Sequence, residues 1–153
     1  MITAYPYVRF STKAQERGTS IERQRKAIKS LCASRGWVIA PEILDIGRSA
    51  WKGHHLRDAA GLGGFVARVD RGEIEAGSVL VVENIDRLSR LEPIDVFQWM
   101  VGLSKKGIGI AIVDGGRVFD HDSLRGEEAL LRVMEVWWTS ARAKGESDRK
   151  SKI

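Results

Sequence analysis

"SVLVVENIDRLSR", Ser78 to Arg90, decides how the chain is read. From Ser78 to Glu83 it is a continuous apolar run, the mark of a strand buried on both faces, as in sheets covered by helices on either side. Charge begins where the run ends. Asp86, Arg87 and Arg90 therefore fall at the strand's C-terminal edge, where open α/β sheets place their ligand sites. Three positions separate Arg87 from Arg90, so a helical or turn-like backbone sets both on one side. Taken alone, the pentapeptide "DRLSR" also fits a solvated loop with a local ion pair.

Outward from this strand the pattern alternates. Upstream, Tyr5 to Phe10 reads as a first strand, with Pro6 pointing to an edge position or a late start. Thr19-x-x-Glu22 has the form of a capping box, and Ile21, Ile28, Leu31 and Cys32 follow at helical spacing up to Arg35-Gly36. Trp37 to Ile43 reads as a second strand. Ala59 to Arg71 reads as a helix with Leu62, Phe65, Val66 and Val69 on it, closed by Gly72. Downstream, Pro93 suits a first helical turn, and Ile94, Phe97, Val101 and Leu103 carry that helix to Gly107. Ile108 to Val113 reads as another buried strand. The order predicts a three-layer α/β domain, with a mostly parallel sheet of four to five strands flanked by helices.

From about Arg125 the pattern is one long helix. Leu130, Val133, Met134, Trp137 and Ala141 make a stripe that suits docking on a sheet. Leu131 and Trp138 begin a second stripe, which suits a further surface such as a subunit interface or a deeply buried helix. The tail "ARAKGESDRKSKI" is polar and basic.

At 153 residues the chain is long enough for one domain with a proper core, and 43% hydrophobic with 29% charged residues marks it as globular. Lys and Arg exceed Asp and Glu by 25 to 20, a net charge of +5 that favours a polyanionic partner without demanding one. The one cysteine, Cys32, excludes a disulfide framework and a cysteine-rich metal site. No signal sequence or membrane-length run is visible, so a cytoplasmic location is expected.

A second charged stretch lies in "YVRFSTKAQ", Tyr7 to Gln15. Residues two apart on a strand project to the same side, so Arg9 and Ser11 offer a cation and a hydroxyl together. That suits a phosphate, and equally an ordinary polar strand end. Converging with Arg87 and Arg90, it would bring three guanidiniums and the Asp86 carboxylate beside Ser11. Arginine presents a charged planar fork to phosphate oxygens, and such a cluster stabilises the extra negative charge of a five-coordinate phosphorus.

Four motifs occur in order: Tyr-x-Arg-x-Ser-Thr-x-x-Gln at Tyr7 to Gln15, Ser20-x-x-x-Gln24, Asp45-x-Gly-x-Ser-Ala, and Asp86-Arg87-Leu88-Ser89-Arg90. Together they resemble the catalytic domain of serine site-specific recombinases, the resolvase, invertase and large serine integrase family. The resemblance runs from residue 5 to about 145. It implies that Ser11 attacks a DNA phosphodiester and forms a transient phosphoserine link. It implies phosphate-binding roles for Arg9, Arg57, Arg87 and Arg90. Asp86 becomes a general acid for the leaving sugar hydroxyl or an orienter of Arg87. Gln15 and Gln24 become substrate-positioning amides.

The exchange of one phosphodiester for another conserves the bond type, so no high-energy cofactor is expected. No metal is expected either: His54 and His55 are adjacent, and adjacent side chains of an extended loop would point apart, unlike a ligand pair. "AGLGG" at Ala60 to Gly64 lacks the Lys-Ser or Lys-Thr of a phosphate loop. The implied partner is double-stranded DNA, bound by a homodimer that assembles into a tetramer. Phe10 departs from the family in replacing a small aliphatic residue, and the lead from Glu73 to Ser78 is longer than in small resolvases. Nothing resembles a helix-turn-helix or zinc-containing DNA-binding domain. The expected organisation is a catalytic domain over 1–124 and an interdomain or dimerisation helix over 125–153. A non-catalytic α/β phosphate-binding or regulatory module is the competing reading.

Overall fold

A computed structural model of the chain describes residues 1–10, 20–46, 61–88, 93–126 and 128–138. It is an α/β domain. In chain order the elements are β1 (Thr3–Phe10), α1 (Ser20–Arg35), β2 (Val38–Ile39), β3 (Ile43–Ile46), α2 (Gly61–Asp70), β4 (Val79–Val82), α3 (Pro93–Lys105), β5 (Gly109–Ile112) and β6 (Arg117–Phe119). Residues 129–138 form a further helix, α4. The strand order is β2-β1-β4-β5-β6, with β3 also paired to β1. All pairings are parallel except that of β5 with β6. Among the described residues no helix is long and apolar enough to cross a membrane.

The run that decided the reading is β4. It lies between β1 and β5, and its four residues are all buried. Alternation along it divides the core. Val79 and Val81 join Ala4, Val8, Ile28, Cys32 and Ala111 beneath α1. Leu80 and Val82 turn to the opposite face, where Leu62 and Phe65 of α2, Met100 of α3 and Val133 of α4 cover them. Helices on both faces explain why a parallel strand is apolar throughout.

β1 is neither an edge nor a late strand, contrary to what Pro6 suggested. It starts at Thr3, with β4 on one side and β2 followed by β3 on the other. Proline is tolerated because of where the opposite pairing breaks. β2 pairs with Thr3 and Ala4, β3 takes over at Tyr7, and no ladder partner stands opposite Pro6 on that side. The Ala4 carbonyl accepts from Ala40 N–H at 2.8 Å on the same side. Alternation aims the missing Pro6 donor at that interruption. The expected strand from Trp37 to Ile43 is correspondingly shortened to β2, and a separate strand, β3, begins at its last residue and runs on to Ile46.

The antiparallel β6 was not legible. It returns from β5 through a turn at Val113–Gly116, with Gly116 N–H on the Val113 carbonyl at 3.0 Å. Gly115 and Gly116 have φ of 88° and 64°, a conformation that side chains disfavour. Ala129, Val133 and Val136 of α4 are buried, whereas Leu131 and Trp138 are exposed. The capping threonine, Thr19, lies outside the described residues, and α1 begins at Ser20 with Glu22 in its first turn.

Candidate phosphate-binding site

The site lies at the C-terminal ends of β1 and β4, neighbouring parallel strands whose register pairs Pro6 with Val81. Carried forward, that register sets Arg9 level with Asn84. The ladder to β4 ends before Arg9, and a side chain replaces it. Gln24, fully buried on α1, accepts from Arg9 N–H at 3.2 Å and donates to the Arg9 carbonyl at 2.9 Å. This two-point clip fixes the strand end just before Ser11. It also gives both buried backbone groups a partner, which burial requires. Gln24 thus acts on the arginine-bearing strand itself. Arg9 is 7% exposed.

On the other side of β1, Asp45 of β3 is also buried and stands opposite Arg9 in register. Its Oδ2 accepts from the Tyr7 hydroxyl at 2.8 Å and from Leu62 N–H, in the first turn of α2, at 3.1 Å. A carboxylate at a helix N-terminus satisfies an otherwise orphaned donor and faces the positive end of the dipole. The approach leaves room only for glycine at position 61. A Cβ there would sit 1.6 Å from Asp45 Oδ1, and φ is +57°. Asp45 therefore ties β1 to the start of α2 at the end of the segment that carries Arg57.

Tyr7 registers the electrostatics of the region. Burial first, then the charge and hydrogen bond of Asp45, push its phenol well above the ordinary tyrosine range. Arg9 and Arg87 pull in the opposite direction. Both guanidiniums thus act on one buried hydroxyl, although 78 positions separate them in the chain.

Arg87 comes from the short 3-10 turn Ile85–Arg87 that follows β4. Ile85 and Leu88, both fully buried, hold this turn onto the core from one side. Arg87 Nη2 lies 3.7 Å from Glu83 Oε1. Its Nε is buried and has no hydrogen-bond partner among the described residues. Glu83 is in turn gripped by Arg23 of α1, through Nε at 3.0 Å and Nη2 at 3.3 Å.

The described residues thus bring together Arg9, Arg87 and Gln24 of the set expected from sequence. Ser11, Gln15, Arg57 and Arg90 lie outside the described residues. Asp86 contributes its backbone to the 3-10 turn, and its side chain lies outside the description. Sequence reasoning gave no role to Tyr7, Asp45, Gly61, Glu83 or Arg23. Tyr7 and Asp45 were visible as motif positions, but the hydrogen bond joining them depends on strand pairing. Glu83 showed as an acid at the end of an apolar run, with its partner 60 positions away. Chemically, the buried Arg9 and the half-buried Arg87, at the ends of neighbouring parallel strands, make a cationic anchor suited to one phosphate group.

Comparison with known proteins gives the family and the fold. The family model described as "Resolvase, N terminal domain" matches residues 4–149. The chain belongs to that family. A curated relative from Escherichia coli strain K12, the uncharacterized protein YbcK, is 31% identical over 153 residues, or 99% of this chain. The chain spans 29% of that relative's length. Among solved structures, the N-terminal catalytic domain of TP901-1 integrase is 19% identical with a TM-score of 0.62, covering 99% of each chain. A resolvase family site-specific recombinase from Streptococcus pneumoniae is 20% identical with a TM-score of 0.64, covering 99% of this chain and 98% of the other. The fold is that of serine recombinase catalytic domains.

Proposed function

We propose that the chain catalyses DNA strand exchange in site-specific recombination, with Ser11 as the nucleophile. The Ser11 oxygen forms a bond to the phosphorus of one DNA linkage, and the bond to a sugar oxygen breaks. The hydroxyl proton passes from the serine to solvent water, and the departing sugar oxygen takes up a proton, with Asp86 as its candidate donor. The reverse attack by a sugar hydroxyl releases Ser11 and rejoins the DNA. One phosphate ester replaces another at each step, so the sequence needs no high-energy cofactor.

The observation that carries this reading is the placement of Arg9 at the end of β1, clipped by Gln24, and of Arg87 in the turn after the neighbouring parallel strand β4, with Ser11 two residues beyond Arg9 in a resolvase-family chain. Paired guanidiniums offset the charge that builds on phosphorus during attack. They also favour ionisation of a nearby hydroxyl that lacks a histidine base. Arg57 and Arg90 complete the anion site in this proposal, and Gln15 orients the phosphate. Gln24 serves indirectly, through its clip on Arg9. The proposed organisation is a catalytic domain over 1–124 and a dimerisation segment over 125–153 that includes α4, in a homodimer that pairs into a tetramer on duplex DNA in the cytoplasm.

The test uses the polypeptide that carries this chain, incubated with fragmented genomic DNA of its source and quenched in detergent. A protein–DNA adduct that survives denaturation is expected from the native sequence and absent from Ser11→Ala. Persistence of the adduct in Ser11→Ala would refute the nucleophile. Tight phosphate binding with no adduct from the native protein would favour the non-catalytic phosphate-binding module.

A further inference from the structure

The geometry points to Glu83, held by Arg23, as a positioning residue that sets where the Arg87 guanidinium stands. This rests on the proposed reading of Arg87 as a phosphate ligand. Glu83 directly follows β4, and its backbone is fixed by Asp114 N–H on its carbonyl at 2.9 Å. Next to it, Asn84 Nδ2 donates to Asp114 Oδ2 at 3.2 Å. The carboxylate is mostly covered, with its side chain 15% exposed. Arg23 takes it at two points, 3.0 Å and 3.3 Å, which leaves a defined edge toward Arg87 Nη2 at 3.7 Å. A two-point grip between guanidinium and carboxylate fixes orientation as well as distance.

Position 23 is next to Gln24. Successive residues on a helix project about 100° apart. One turn of α1 therefore holds both strand ends: Gln24 clips the Arg9 backbone, and Arg23 secures the carboxylate that faces Arg87. The separation of the two arginines is thereby referred to a single helix. Arg87 Nε, buried and without a hydrogen-bond partner among the described residues, is the donor left for a phosphate oxygen. An unmet buried donor is costly, so an incoming anion satisfies it at a gain.

Glu83 also adds a negative charge beside the anion site, so two effects of its removal have opposite signs. Neutralising it raises attraction for DNA, while loosening Arg87 slows chemistry. A residue with a merely structural role would lower both together. The decisive variants are Glu83→Gln and the exchange Arg23→Glu with Glu83→Arg. The exchange restores an ion pair between positions 23 and 83 but places a cation beside Arg87.

Each variant is compared with the native protein by thermal unfolding, by adduct formation at saturating duplex DNA, and by titration with inorganic phosphate. The titration is followed at the Arg87 Nε–H resonance by nitrogen-15 NMR. Glu83→Gln is expected to fold, to bind duplex at least as tightly, and to form adduct about tenfold more slowly, because small misplacements of a charged group cost that much or more. Its Arg87 resonance should lose much of its phosphate response. The exchange is expected to recover melting temperature but not rate. Native-like rate and phosphate response in Glu83→Gln, or recovery of rate in the exchange, would overturn the proposal. Should Ser11→Ala still form adduct, the assigned nucleophile fails, and the phosphate titration at Arg87 still decides the role of Glu83.

Discussion

Two carboxylates flank β1, and they are used in opposite ways. Asp45, on the β3 side, is buried and meets neutral donors: the Tyr7 hydroxyl and the Leu62 N–H. Glu83, beyond β4, meets two guanidiniums, and one of them, Arg23, is 60% exposed. The first joins strand to helix where water is excluded, so losing it strands buried donors. The second sits at a wetter rim, where ion pairs add little to stability and much to orientation. The difference teaches that one side of β1 builds the site and the other aims its charge.

The largest expected effect breaks the Asp45 side. Gly61→Ala forces a methyl group into the Asp45 carboxylate at a left-handed backbone position, and should cost on the order of 3–5 kcal/mol by denaturant unfolding. A loss below about 1 kcal/mol would mean that the approach of Asp45 to α2 is not maintained. Asp45→Ala comes next, at about 2–4 kcal/mol, because it leaves the Tyr7 hydroxyl and Leu62 N–H buried without their acceptor.

Tyr7→Phe sharpens the same side, with an expected loss of about 1–3 kcal/mol near neutral pH. It also changes the alkaline limb. The raised folded-state pKa favours protonated Tyr7, so its contribution is fully present below the unfolded value of about 10 and is lost as pH rises further. Denaturant midpoints measured across this range should fall above pH ~10 in the native protein, and Tyr7→Phe should lack the Tyr7 component of that fall. The smallest stability effect is expected on the other carboxylate, where Glu83→Gln should cost under about 1 kcal/mol. A loss as large as that of Asp45→Ala would erase the contrast between the two sides.

Much of the architecture was legible because burial on both faces writes itself into composition. β4 and β5 are uninterrupted apolar runs, and helices α2 and α3 carry periodic Leu, Phe, Val and Met. Pro6 misled because a proline's cost depends on where its missing donor points, and that depends on a break in a strand more than 30 positions away. β6 escaped because three residues after a double-glycine turn hold too little pattern. At the site, Arg9 and Arg87 were readable from their places at strand ends. Gln24 was readable as a site residue but not as a clip on the Arg9 backbone, and Arg23, Glu83 and Asp45 were not readable as supports, since all four act through contacts that exist only once the sheet is assembled.

The most direct measurement is peptide mapping of the protein–DNA adduct after nuclease trimming. Trypsin cuts after Arg9 and Lys13, which isolates the tetrapeptide Phe10 to Lys13. The account predicts a nucleotide mass on that tetrapeptide, with fragmentation assigning it to Ser11. A nucleotide on Thr12 or on any other peptide, or on no peptide at all, would contradict it.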